Sequence, residues 1–128
     1  MTTDNQVEAP PMILDNLNFL TLAVFAPILI LIGILGFVIP EHRSPTSGAA
    51  AYNIFHIVSG AIGAIIVLIG HGSAIHLFNT VFGVVDLYQA AASAAGWFPK
   101  RHFRWTRIDD ALHILVGLLL VGIGTMGR

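Results

Sequence analysis

Two histidines occupy matching places in the chain: His56 in Asn53-x-x-His56-x-x-x-Gly60, and His113 in Asp110-x-x-His113-x-x-x-Gly117. Residues three apart share a helical face, so Asn53 and Asp110 stand within reach of the two imidazoles. A polar partner that fixes tautomer and ring plane is what a metal-ligating histidine needs. Two such rings at one depth could ligate a b-type haem, with Gly60 and Gly117 clearing room for the macrocycle. One alone could bind the magnesium of a chlorophyll or bacteriochlorophyll. The plainer alternative is a pair of hydrogen-bonded core histidines that lock helices together, and it is favoured because only one histidine level repeats. The chain has no cysteine, so neither a disulfide framework nor a thiolate metal site is possible, and no metal motif of known spacing is present.

Asp86 is the other chemical feature, an acid inside an apolar run. A carboxylate near mid-membrane costs at least about 2.5–3.5 kcal/mol, so it must be protonated, paired or wet. One reading is a proton-conducting group coupled to the histidines and to Tyr88 or Gln89. The other is a hydrogen-bonded acid that fixes helix register. Asp86 belongs to a line at alternating three and four spacing: His76, Asn79, Gly83, Asp86, Ala90 and Ser93. That spacing is one helical face, and lipid offers such side chains no partner. With Asn53, Gln89 and Asp110, these residues are expected to form a polar core.

The elements that must position them follow from composition. Hydrophobic residues make up 55% of the 128 residues and charged ones 10%, too few charges to cover a soluble domain of this size. Phe19 to Ile39, Ala50 to Gly70 and Ile108 to Gly127 each approach the roughly 20 residues that cross a hydrocarbon core. Ser73 to Trp97 is more polar, but it follows the preceding span after only Gly70-His71-Gly72 and so has to cross back. These features predict an all-α integral membrane protein, a four-helix up-down bundle made of two tandem helical hairpins. A polar tail over 1–16 would precede a domain over 17–128 with helices at about 17–39, 50–70, 73–97 and 108–127. The tail lacks the basic start of a signal peptide, and Asp15 or Asn16 would cap the first helix.

An internal repeat supports the two hairpins. Gly33, Gly36-Phe37 and Pro40 find counterparts in Ser93, Gly96-Trp97 and Pro99, and the two His-x-x-x-Gly segments follow in the same order. Of the six Lys and Arg, Arg43 lies in the first connection and Lys100, Arg101, Arg104 and Arg107 in the third. The positive-inside rule then puts both connections in the cytoplasm and both termini outside. Trp97, Phe98, Phe103 and Trp105 beside these charges read as an interfacial belt. Lys100, Arg101, Arg104, Trp105 and Arg107 would meet lipid headgroups or a protein partner; the segment is too short and too close to the membrane for nucleic acid. Thr106 and Asp109 have the spacing of a capping box for the last helix.

The ordered set Gly36, Phe37, Pro40, Asn53, His56, Gly60, Gly83, Gly96, Asp109, His113 and Gly117 resembles domain-of-unknown-function family 4383, small four-helix bacterial membrane proteins. The resemblance covers roughly Phe19 to Gly124 and implies a bacterial inner membrane location and this fold, but no reaction.

No Ser/His/Asp set and no phosphate loop is present, so the chain is not expected to be an enzyme. The leading expectation is a non-catalytic accessory or scaffold subunit of a larger membrane complex, in contact with lipid and other subunits. A haem- or chlorophyll-binding component using His56 and His113 is the alternative, and a proton-conducting element using Asp86 the second.

Overall fold

The structure is a computed structural model and describes residues 13–126. Those residues form five α-helices, one short 3-10 helix (Glu41–Arg43) and no strand; the α-helices are α1 (Ile13–Val38), α2 (Ala50–Ile69), α3 (Gly72–Ala95), the short α4 (Lys100–Phe103) and α5 (Arg107–Thr125). Residues 13–16 of the expected polar tail are therefore helical. Asp15 and Asn16 lie inside α1 rather than capping it. The rest of that tail, Gly127 and Arg128 lie outside the described residues.

Three helices are long and apolar enough to cross a bilayer: Asn16–Val38, Ala50–Ile69 and Arg107–Thr125, with mean hydropathies of 2.7, 2.0 and 1.7. The chain is thus a helical protein of membrane type. α3 is long enough but does not reach that apolarity, because the buried side chains His76, Asn79, Asp86 and Gln89 lower it. The outward surface is apolar: Leu31, Val38, Ile54, Leu68, Val84 and Leu115 are all more than half exposed. Such a surface is unfavourable in water and natural in hydrocarbon.

Helix ends follow local chemistry. Gly70 (φ 73°) and Gly96 (φ 77°) close α2 and α3 in the left-handed region, where a residue with a Cβ is strained. At the start of α5, Thr106 Oγ1 accepts from Asp109 N, and Asp109 Oδ2 accepts from Thr106 N at 2.8 Å, completing the capping box. The third connection holds the helix α4, which the sequence did not suggest.

α1 packs along α2, and α3 packs along α5; contacts between these two pairs are much sparser. Equivalent glycines bring each pair together. A Cβ on Gly60 would lie 2.7 Å from Ala26 O and 2.6 Å from Ile30 Cγ1 of α1. One on Gly117 would lie 2.8 Å from Leu87 Cγ and 3.0 Å from Gly83 O of α3. Both glycines are therefore filled by the neighbouring helix, as small-residue packing in membranes requires. Between the pairs, Leu29, Phe82 and Leu120 form an apolar layer with Phe25, Phe55, Phe78 and Val116 around them. Phe82 belongs to this buried layer, although its place in the sequence put it off the polar seam of α3.

Candidate functional site

Polar side chains gather on either side of the apolar layer. On one side, Asn79 Nδ2 donates to Asn18 Oδ1 at 2.9 Å and Asn18 Nδ2 donates to Ile123 O at 2.8 Å, joining α3, α1 and α5. His76 is buried beside them, its Nδ1 3.3 Å from Gly124 O. Asn18 is fully buried, although nothing in its spacing along α1 singles it out.

On the other side, the first and third connections interlock. Arg104 makes a two-pronged ion pair with Glu41 at 2.9 and 3.0 Å. Thr106 Oγ1 is 2.9 Å from Pro45 O, and the Ser47 hydroxyl donates to the Phe103 carbonyl. Beneath them lies Asp109, only 1% exposed. Its Oδ2 accepts from Ser47 N at 2.8 Å and from Thr106 N, and its Oδ1 accepts from the Tyr52 hydroxyl at 2.5 Å. Backbone and phenol donors thus replace the water an acid loses on burial.

Asp86 is 3% exposed, and its Oδ1 accepts from Gln89 Nε2 at 3.2 Å. Gln89 Oε1 in turn accepts from Trp105 Nε1 at 3.0 Å. The acid's partner is thus on its own helix, and the indole of the third connection holds that partner in place. Trp105 is 8% exposed and packs with Ala49, Tyr52 and Ala92, so it is no interfacial or partner-facing residue. Partly buried Phe103 packs against the same cluster. Trp97 and Phe98 are more than half exposed.

Other polar residues depart from the sequence reading in the same local way. His56 Nδ1 is 2.8 Å from Tyr52 O, so its backbone, not Asn53, orients the ring. A carbonyl only accepts, so Nδ1 carries the proton, and in the neutral form of the ring Nε2 is left as an acceptor. Asn53 is fully buried and donates to Gly48 O at 3.1 Å. Asp110 is half-buried, and no bond joins it to His113 among the described residues; its neighbour Asp109 is the hub instead. Lys100 Nζ donates to Ser93 O at 2.6 Å, closing the end of α3, and Arg104 is engaged by Glu41. Arg101 and Arg107 are exposed.

His56, His113, Asp86, Tyr52 and Asp109 share one cavity of about 230 Å³. Its remaining wall is apolar, from Phe25, Ile28, Leu29, Ile32, Leu112 and Val116, except for Thr46. His113 is 6% exposed, and among the described residues its Nδ1 has no hydrogen-bond partner.

A tetrapyrrole between His56 and His113 does not fit this arrangement. The cavity is smaller than the roughly 300–1,000 Å³ of ordinary small-molecule sites. The glycines meant to clear room face α1 and α3 and are already filled. The Tyr52 ring also lies against His56, with centroids 4.1 Å apart. A proton path from Asp86 to the Asn79 side meets a second obstacle. Seven residues of helix, about 10 Å, separate them, and the apolar layer around Phe82 lies between.

Comparison of the chain with protein-family models, with curated proteins and with solved structures finds no match.

Proposed function

We propose that this chain is a small non-catalytic membrane protein whose four long helices all cross the bilayer, as an up-down bundle of two tandem hairpins. One observation carries this reading: the bonded interlock of the first and third connections. If α2 and α5 cross, their N-termini lie together at that interlock. α3 then has to run from the far end of α2 back to it, so it crosses as well. The equivalent packing of Gly60 against α1 and Gly117 against α3 supports the tandem origin of the hairpins. The basic residues around the interlock favour a cytoplasmic location for it, with both termini on the opposite side of a bacterial inner membrane.

Within that bundle, most buried polar groups bond one another or backbone, as in a protein built for packing rather than for reaction. The apolar outer faces suit lipid and neighbouring subunits alike, and the exposed small residues Ala91, Ala94 and Ala95 of α3 allow a partner helix close approach. An accessory or scaffold subunit is the function these features support best.

Two measurements test it. Single cysteines at positions 5 and 102 should label from opposite sides of the membrane, position 102 from the cytoplasm. Labelling of both from one side overturns the four-span bundle. Crosslinking from a photoreactive group at Ala94 should give a discrete heteromeric product in native membranes; only lipid adducts there would argue against a subunit role.

A further inference from the structure

We infer that the cavity between the two helix pairs binds the uncharged hydroxyl headgroup of a membrane amphiphile, entering sideways between α1 and α5. The inference rests on the four-span bundle proposed above. Its first support is the shape of the opening. Ile28 of α1 and Leu112 of α5 line the cavity and are also 44% and 42% exposed, so they form a lip on the outer face. α1 and α5 make few contacts with each other, unlike either packed pair, and leave a gap there.

The second support is the polar end. The imidazole of His113 is part of this end of the lining and is itself only 6% exposed. His56 contributes an acceptor at Nε2, because its Nδ1 proton is committed to the Tyr52 carbonyl. Asp86 adds carboxyl oxygens to the same space. A set dominated by acceptors calls for a donor, and an O–H group both donates and accepts.

Water alone satisfies this cavity poorly. Its volume of about 230 Å³ equals roughly seven or eight waters at their liquid volume of about 30 Å³, each needing two to four polar partners. Polar groups cluster at one end, and most of the wall is phenyl and aliphatic. A molecule with a hydroxylated head and a hydrocarbon tail matches both regions. A charged head would lose more hydration on entry than a neutral hydroxyl does.

Two membrane components share this chemistry, a neutral diacylglycerol and a reduced quinol. The full chain in phosphatidylcholine nanodiscs, whose headgroups have no hydroxyl, is the appropriate sample. Tritiated dioctanoylglycerol and a decyl-substituted hydroquinone are the probes, with decane and decylamine as controls. Saturable binding of either hydroxylated probe, over linear partition into lipid, is the expected result; the one that saturates identifies the source. His113→Leu should weaken it roughly three- to twentyfold, the equivalent of one intramembrane hydrogen bond. Leu112→Trp fills the mouth without touching a polar group and should abolish saturation, so the result does not depend on His113→Leu folding. Linear partition of both probes, or equal saturation by decane or decylamine, overturns the inference. Cysteine labelling of the same chain in sealed inverted and right-side-out vesicles separates the two failures. An intact four-span topology with only linear uptake removes the ligand site and leaves the bundle standing.

Discussion

The hydroxyl of Tyr52 donates to Asp109 Oδ1 at 2.5 Å, joining the first turn of α2 to the first turn of α5 across 57 residues of sequence. Both groups are almost fully buried, and the same carboxylate also holds the backbone of Ser47 and Thr106. One acid therefore ties together both connections and both helix pairs.

Removing part of this tie should have a graded effect. Tyr52→Phe leaves Asp109 with its backbone donors and should cost about 1.5–3 kcal/mol, the worth of a hydrogen bond to a charged group. Asp109→Ala strips the capping box and the Ser47 bond as well, and should cost more. Detergent-unfolding midpoints of the two single variants and the double variant measure the coupling. Additive losses would show that the phenol and the acid stabilise the fold independently.

Glycine substitutions should separate packed from open helix faces. Gly60→Ala and Gly117→Ala each drive a methyl against a neighbouring helix and should destabilise by roughly 1–3 kcal/mol. Among the described residues nothing lies within 4 Å of the missing Cβ of Gly122, so Gly122→Ala should be neutral or gain up to about 1 kcal/mol of helix propensity. Thermal midpoints in one detergent give the comparison, and equal losses at all three positions would contradict the packing described.

Gln89 links Trp105 to Asp86, so its loss should be felt at both ends. Gln89→Leu leaves an indole N–H and a carboxyl oxygen without their partner and should cost about 1–3 kcal/mol. The emission of Trp105 should change with it, and a Trp97→Phe background isolates that signal. Asp86→Asn keeps an acceptor for Gln89 and should retain both the fold and the emission spectrum.

Glu41 and Arg104 offer a pH-dependent contact at the surface. The hydrogen bond from Arg104 is the main reason the Glu41 carboxyl titrates below its usual 4.5, and Glu41 holds the guanidinium above its ordinary value. Because the folded value is the lower one, the contribution is present at neutral pH and disappears as pH falls through it. Stability of the parent and of Glu41→Gln should therefore converge below the usual carboxylate range. High salt should also bring them together, since both groups are about half exposed. A gap that persists at low pH would assign the effect to packing instead.

Hydrophobic length and spacing alone determined, to within a few residues, where the four long helices lie, because the apolar run a span needs is a local property of the chain. They also marked the seam of α3, where His76, Asn79, Gly83, Asp86 and Ser93 are all buried. The capping box was equally legible, since Thr106 and Asp109 are only three residues apart. Tertiary structure decided which of the adjacent acids matters. Asp109 and Asp110 look alike in sequence, but 100° of helical rotation turns one into the interlock and leaves the other half-buried. Only the docking of the two helix pairs withdrew Trp105 from the membrane surface and bonded Asn18 to Asn79 and Ile123, because those bonds join residues distant along the chain. Packing within each pair filled Gly60 and Gly117 with the neighbouring helix, and docking of the pairs left the empty volume beside His113. Spacing fixes the face on which a residue stands; what meets that face depends on how whole helices pack.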